Sequence, residues 1–225
     1  MGSRVFLVVV DPWINWDWLW THIPLVLEDL QQHVLLTAIA VVAGLAISLP
    51  LGIAAHRWGW LRNPLLTAFG ILYTIPSLAL FAFLVPYTGL SFLTAEIGLT
   101  SYTLLILARN VVVGLESVPP DILDAADGMG YRPLARLLQV ELPLALPVIM
   151  AGVRVATVTT IGLVTITALI GVGGLGQLIN KGLIESFHTP LVVATVLSIA
   201  LALVADVSLA GAQRLAVPWS RATPR

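Results

Sequence analysis

The chain has 225 residues, of which 58% are hydrophobic and only 10% are charged, and its formal net charge is −1. Because an average soluble domain is about a quarter charged, this composition excludes an ordinary water-soluble domain and predicts an all-α integral membrane protein. The charge balance argues against a nucleic-acid partner. The sequence has no cysteine and its four histidines are scattered, so neither a disulfide nor a metal site is expected.

Residues 1–33 are predicted to form an extracytoplasmic, interfacial segment. The apolar run at 5–10 is too short for a signal-peptide core or a membrane span. Four tryptophans lie between residues 13 and 20, and indole rings favour the headgroup region of a membrane. Residues 15–32 are therefore expected to form either an interfacial helix on the outer face or a helix that packs on the spans.

A transmembrane domain is predicted over residues 34–212, because a helical span needs about 20 mostly apolar residues. Five stretches meet this requirement: 34–55, 65–86, 99–118, 144–170 and 190–212. Residues 87–98 are expected to form an external loop, and residues 213–225 a cytoplasmic tail. Pro76 and Pro86 predict a kink or break in the second span, which serves either gating or packing alone.

The distribution of Lys and Arg predicts the orientation in the membrane. One side holds Arg57, Arg62, Arg132, Arg136, Arg214, Arg221 and Arg225, whereas the other holds only Arg4 and Lys181. With five spans, this bias predicts a multi-pass protein of the plasma (cytoplasmic) membrane. Its N-terminus is expected outside and its C-terminus in the cytoplasm.

The polar segment 119–143, between the third and fourth spans, predicts two short helices. Pro120 and Asp121 are typical of a helix start, with proline in the first turn and an acid at the positive end of the helix dipole. Gly128 and Gly130 are expected to permit the tight turn that closes the first helix. The second helix is expected to begin near Arg132 and to end before the fourth span.

The spacing within this segment resembles the EAA loop of permease subunits of ATP-binding-cassette (ABC) importers. That loop has the sequence Glu-Ala-Ala, three residues, Gly, nine residues, Ile, one residue and Leu-Pro. The segment departs from it conservatively at two positions, with Asp124 in place of Glu and Val140 in place of Ile. The resemblance implies a coupling helix that sits in a groove of a cytoplasmic ATPase subunit. The residues it implies for coupling are Asp124, Ala125, Ala126, Gly128, Met129, Gly130, Leu142 and Pro143.

Flanking runs resemble the osmoprotectant branch of these permeases, which import glycine betaine, choline, carnitine or related solutes. The runs are 73–80, 109–110, 118–121, 128–130, 161–162 and 166–176. The resemblance covers residues 32–212 and implies a type I ABC importer permease fold. It also implies three partners: a cytoplasmic ABC ATPase, a second permease subunit (the same chain or a different one) and an extracytoplasmic substrate-binding protein.

Two alternatives stay open at the level of the sequence. One is a permease of the same class for an amino acid such as methionine, and the other is an ion-coupled secondary transporter or a channel. Ion coupling usually places an acid in mid-membrane, whereas Asp206 lies near the cytoplasmic end of the fifth span. No clear aromatic cage for a quaternary ammonium group can be assembled, so primary solute recognition is expected in the binding protein.

The chain is not expected to be an enzyme. ATP hydrolysis requires a Gly-rich loop that ends in Lys-Ser or Lys-Thr, and the only lysine of the sequence, Lys181, lies in Asn-Lys-Gly. No cofactor is therefore expected in this chain, and ATP and Mg²⁺ are expected to bind to the partner ATPase.

Charged, polar, proline and glycine positions within the spans are candidates for the pathway or a gate: Tyr73, Pro76, Ser77, Arg109, Asn110, Arg154, Thr160, Thr165, Gly173 and Gly174. A charge inside a span costs several kcal/mol unless it is paired or faces water. Arg154 is expected to lie within reach of Glu116. It is expected either to act as a gate or substrate contact or to form a structural ion pair. Threonine hydroxyls either line a wet path or bond carbonyls of the preceding turn. Residues 171–176 are expected to form a re-entrant outer segment or a tight turn.

Overall fold

The structure is a computed structural model that describes residues 13–217. Every regular element within this range is helical. The apolar run at 5–10, and Arg4, Arg221 and Arg225, lie outside the described residues. Four helical stretches in the described range are long and apolar enough to cross a membrane, and a bent pair of shorter helices makes a possible fifth.

The first membrane helix begins earlier than the sequence predicts. Helix α1 (Trp16–Thr21) is a short helix capped by the side chain of Asn15, and α2 (Ile23–Arg57) starts after it and continues without a break through the predicted boundary at 33/34. A single interfacial helix over 15–32 is therefore wrong. The acidic and amide residues of this stretch interrupt its apolar pattern, so hydropathy does not include it in a span. In the structure, however, Asp29 is buried, and the Gln32 amide oxygen accepts a bond from the Gly174 backbone, 2.9 Å away.

The second span is broken at Pro76, as predicted. Helices α3 (Gly59–Thr74) and α4 (Ser77–Thr88) meet at 93°. The residue before a proline avoids helical geometry, and Ile75 is extended, with ψ 127°. Pro86, in contrast, lies inside α4 and does not end it.

The external loop predicted over 87–98 is wrong, because only three residues separate α4 from α5 (Phe92–Glu116). Gly89 makes the turn with φ 73°. Ser91 then caps α5 by accepting a bond from the Thr94 backbone at 3.3 Å, and the Thr88 and Thr94 hydroxyls lie 2.6 Å apart. These short-range bonds start the third span at Phe92 instead of residue 99.

The polar segment forms one short helix and one long helical run. Helix α6 (Pro120–Gly128) starts at the predicted Pro-Asp pair. Helix α7 (Pro133–Arg136), a π turn (Leu137–Glu141) and α8 (Leu142–Thr167) then follow without interruption, so a separate second helix is wrong. Pro143 cannot donate to the carbonyl of residue 139, and the π turn lies at that place.

The C-terminal end of α8 leads into an element that the sequence does not predict. A 3-10 turn (Ala168–Ile170) leads into a tight turn in which Gly171 and Gly174 have φ values of 79° and 46°. Helix α9 (Leu175–Glu185) follows, and α10 (His188–Ala216) supplies the last span. The glycine-rich run is therefore a tight turn, one of the two predicted forms, and α10 continues four residues into the predicted tail.

Helices α2, α5 and α8 form the centre of the bundle. Glycines allow α2 and α5 to approach closely: a Cβ at Gly44 would overlap Thr103, and one at Gly52 would lie 2.6 Å from Val111. Helix α10 is peripheral and buries only Thr189, Pro190 and Ala194. Its outward face carries exposed apolar side chains such as Leu203 and Val207.

Two ends of the bundle can be recognised from contacts between its elements. At one end, the Asn15 backbone donates to the Thr189 hydroxyl at 2.8 Å, which joins the starts of α1 and α10. At the other end, the imidazole of His56 lies 3.6 Å from the carboxylate of Glu141, which joins the end of α2 to the π turn. Helix α6 is attached at this second end.

Candidate functional site

Helix α6 is closed by the turn that the sequence predicts. The Gly130 amide donates to the Asp127 carbonyl at 2.9 Å, and the Tyr131 amide donates to the Ala126 carbonyl at 3.1 Å. These two bonds, with φ 82° at Gly130, define a Schellman motif. Gly128 stays helical, so only Gly130 needs the left-handed conformation.

The predicted coupling residues of α6 lie at its surface with one exception. Ala126 is 1% exposed and packs inward, whereas the side chain of Met129 is 71% exposed. Asp124 and Ala125 are also exposed. Leu142 and Pro143 lie in the first turn of α8 instead, so the structure separates them from the surface of α6.

Exposed leucines continue this surface along the next helical run. Leu134 is 67% exposed and Leu138 is 54% exposed, and Ile122 on α6 is 39% exposed. Met129 is exposed at the same end of the bundle. Several exposed apolar side chains in one region are typical of a surface that contacts another protein.

An ion-pair network, which the sequence did not predict, ties α6 to two membrane helices. Arg136 Nη1 donates to Asp127 Oδ2 at 2.5 Å, and Arg136 Nε donates to Glu141 Oε1 at 2.9 Å. The other oxygen of Glu141 lies 3.6 Å from His56 Nε2. In a π turn, residues five apart align, which brings Glu141 over Arg136. The network therefore connects α6, the base of α8 and the end of α2.

The predicted contact between Glu116 and Arg154 is wrong. Glu116 Oε1 lies 2.6 Å from Arg62 Nη1 at the start of α3. Arg154 instead forms a bidentate pair with Asp206, through Nε to Oδ1 and Nη2 to Oδ2, each at 2.8 Å. Because α8 and α10 run side by side, residues 52 positions apart in sequence meet at mid-helix. The predicted position of Asp206 near the end of the fifth span is therefore wrong, because α10 continues ten residues beyond it.

Arg109 and Asn110 are adjacent in sequence but have different surroundings. The Arg109 side chain is exposed on α5. Asn110 Nδ2 donates to the Ile106 carbonyl at 2.8 Å, and a Cβ at Gly152 would overlap the Asn110 side chain. Asn110 thus packs at the contact between α5 and α8.

The remaining pathway candidates are dispersed. Tyr73 contacts the ring of Tyr102, with centroids 5.8 Å apart, near the corner where Pro76 and Ser77 join α3 to α4. Thr160 is buried, and the Thr165 hydroxyl donates to the Gly162 carbonyl at 2.7 Å, as expected for a threonine that bonds the preceding turn. Gly173 and Gly174 lie in the tight turn between α8 and α9, against Ala168 and His33 respectively. The structure does not gather these residues into one site.

Buried polar groups on α2 and α5 escaped sequence reasoning. Glu96 is only 8% exposed, and neither of its carboxylate oxygens has a hydrogen-bond partner within residues 13–217. His33 is fully buried, and its Nε2 lies 3.0 Å from the Ile161 carbonyl. The sequence does not identify Glu96 as buried, because residues 87–98 are predicted to form an external loop. Ser91 is a typical helix N-cap residue, and it could have indicated that the helix starts before Glu96. In the described part of the chain, no group of His, Asp and Glu is placed to hold a metal ion.

Comparison with known proteins gives consistent matches over most of the chain. Residues 44–214 match the family described as binding-protein-dependent transport system inner membrane component. The chain is 40% identical over 180 residues to the osmoprotectant import permease protein OsmW of Salmonella typhimurium, covering 78% of this chain and 84% of OsmW. It is 36% identical over 188 residues to the choline transport system permease protein OpuBB of Bacillus subtilis, covering 83% and 86%.

A solved structure has the same fold. An inward-facing structure of the MetNI methionine ABC transporter includes a chain that superimposes with a TM-score of 0.77 at 22% identity, covering 87% of this chain and 98% of that chain. At this identity, the likeness concerns the fold alone.

Proposed function

Since this chain belongs to the family of binding-protein-dependent transport system inner membrane components, we propose that it carries a compatible solute such as glycine betaine, carnitine or choline across the membrane. It does so as a permease subunit of an ABC importer and has no ATPase activity of its own. The solute class follows from relatives at 34–40% identity, which are named for osmoprotectant, choline or carnitine transport. Fold likeness to a methionine transporter, at 22% identity, supports methionine less well.

The observation that carries the coupling role is the position and geometry of α6. It lies at one end of the bundle, is closed by the Schellman turn at Gly130 and presents the exposed side chain of Met129. The ion pairs of Arg136 link it to α8, and those of Glu141 extend the link to α2. An ATPase that moves α6 would therefore move two central helices.

The proposed partners are a cytoplasmic ABC ATPase at α6, a second permease subunit, and a substrate-binding protein at the opposite end of the bundle. The proposed orientation places α6 and the end of α10 in the cytoplasm, and α1 and α9 outside. Arg57, Arg62, Arg132 and Arg136 all lie at the end that holds α6, which supports this orientation.

Labelling of single cysteines tests the orientation, and the sequence has no native cysteine to interfere. Met129 and Ile184 are 71% and 76% exposed at opposite ends of the bundle. A thiol from Met129→Cys should react only with reagent admitted to the cytoplasm, and one from Ile184→Cys with impermeant reagent outside. The reverse pattern would overturn the orientation.

Uptake into proteoliposomes tests the function. The chain is reconstituted with its cognate ATPase, second permease subunit and binding protein, and ATP-driven uptake of glycine betaine, choline, carnitine and methionine is compared. We expect uptake of at least one of the first three and no ATP hydrolysis by the purified chain alone. Uptake of methionine only would reject the solute class, and hydrolysis by the chain alone would reject the permease role.

A further inference from the structure

The pair formed by Arg154 and Asp206 lies far from both ends of the bundle. Arg154 is 12 residues after the start of α8, and Asp206 is 18 residues after the start and 10 before the end of α10. At a rise of about 1.5 Å per residue, the pair is about 15 Å or more from each helix end. The apolar layer of a bilayer is about 30 Å thick, so the pair lies within that layer.

The same pair faces outward from the bundle. The side chains of Arg154 and Asp206 are 32% and 38% exposed. They line an open concavity with Ala151, Val155, Val158 and Thr159. Hydrocarbon solvates ions poorly, and charged groups at this depth face water-filled cavities or other protein. The exposed edge of the pair on this side of α8 and α10 is thus placed to meet water or a second subunit in the assembled transporter, in contrast to the apolar outer face of α10.

Both charged groups retain capacity for a further partner. An arginine offers five N–H donors, and this ion pair uses two of them. Each carboxylate oxygen of Asp206 accepts one of these bonds, although a carboxylate can accept about four. The pair is thus a neutral unit that exposes a donor group and an acceptor group side by side.

A zwitterion is the ligand that matches this unit. Guanidinium groups bind carboxylates in a bidentate manner, and an aspartate attracts a quaternary ammonium group. A solute with both charges can engage Arg154 and Asp206 together while the net charge at the site stays zero. A solute with one charge can engage only one of the two groups, and the bound site then carries a net charge inside the membrane, which is costly.

We propose that Arg154 and Asp206 form a transient contact site for a zwitterionic solute on its way through the membrane, with Arg154 at the carboxylate and Asp206 at the ammonium group. The proposal rests on the proposed import of compatible solutes and adds a site inside the permease to recognition by the binding protein. Glycine betaine is the probe that carries both charges.

The first test removes both charges, so that no unpaired ion remains. In the reconstituted complex, Arg154→Gln/Asp206→Asn should lower ATP-driven glycine betaine uptake at least about tenfold, the loss expected for charge-assisted contacts. Complex assembly and basal ATPase rate should stay within about twofold of the parent. The matched control is Arg62→Gln/Glu116→Gln, which removes an inter-helix pair of similar exposure, 43% and 37%, at the end of the bundle. Parental uptake by the test variant would overturn the proposal.

The second test detects the contact itself and leaves both charges in place. Val158 lies one turn after Arg154 and is 39% exposed in the same concavity. A thiol from Val158→Cys should react with a small water-soluble reagent in the assembled complex, and glycine betaine should slow this reaction severalfold. In the doubly neutral background, the protection should disappear.

A purely structural ion pair predicts no protection, and a thiol that never reacts would show that no water reaches this surface; either result overturns the proposal. If the parental complex takes up choline but neither glycine betaine nor carnitine, the site proposal fails while the proposed function stands; if it takes up none of the three, the proposed function fails instead. The unmodified complex alone reveals that failure, so the two conclusions are tested separately.

Discussion

Replacing Gly130 with valine is expected to uncouple ATP hydrolysis from transport. Gly130 has φ 82°, and no atom of residues 13–217 lies within 4 Å of the place where a Cβ would be. The penalty therefore comes from the backbone conformation alone and not from a clash. A residue with a Cβ in the left-handed region costs about 1–2 kcal/mol, and a β-branched residue is among the least tolerant.

The chain can avoid that strain only by refolding the turn. Refolding would break the bonds from Gly130 and Tyr131 to α6, each worth about 0.5–1.5 kcal/mol. Either way, α6 is displaced relative to α7 and to the ion pairs of Arg136. Because α6 lies outside the membrane spans, insertion of the chain should not change.

Two variants provide matched controls. Gly128 also has open space around its Cβ position among the described residues but has helical geometry, so Gly128→Val adds a side chain to the surface of α6 without straining the backbone and should reduce coupling less than Gly130→Val. Gly130→Asn should be milder than Gly130→Val, because asparagine adopts the left-handed region more readily.

The assay pairs ATP-driven solute uptake with solute-stimulated ATPase activity in the reconstituted complex. Uptake and stimulation should fall together in Gly130→Val, while binding of solute to the external binding protein stays intact. If Gly130→Val and Gly128→Val transport equally well, the turn at Gly130 is not part of the coupling device.

Thermal unfolding of the purified chain tests three further expectations. Arg136→Gln should lower the free energy of unfolding by about 2–4 kcal/mol, because Glu141 is 5% exposed and loses its main partner. Asp127→Asn should lower it by less than about 1 kcal/mol, because Asp127 is half exposed. Equal losses of stability in the two variants would contradict the network. Glu96→Leu should raise the unfolding midpoint by removing a buried carboxyl group without a hydrogen-bond partner in the described chain, and a lower midpoint would count against this. Gly52→Ala should cost about 1–3 kcal/mol by overpacking α2 against α5, and an unchanged midpoint would contradict the close approach.

The wrong starts predicted for the first and third spans have one cause. Hydropathy treats charged and amide residues as the ends of spans, so Asp29 and Glu96 were placed outside the membrane helices. In the structure, Asp29 is buried in α2 and Glu96 in α5. A polar residue can lie within a span where another helix packs over it. The residues next to it in sequence do not show which helix does so.

The elements that sequence alone determined are those governed by local chemistry. Long apolar runs require a membrane, Pro76 breaks a helix because proline restricts the residue before it, and the pair Pro120-Asp121 with Gly130 delimits α6 through bonds made within the segment. Only the tertiary structure decided which distant groups meet. Arg154 pairs with Asp206 and not with Glu116 because α8 lies against α10 at that level, and side-chain partners are selected by helix packing in three dimensions.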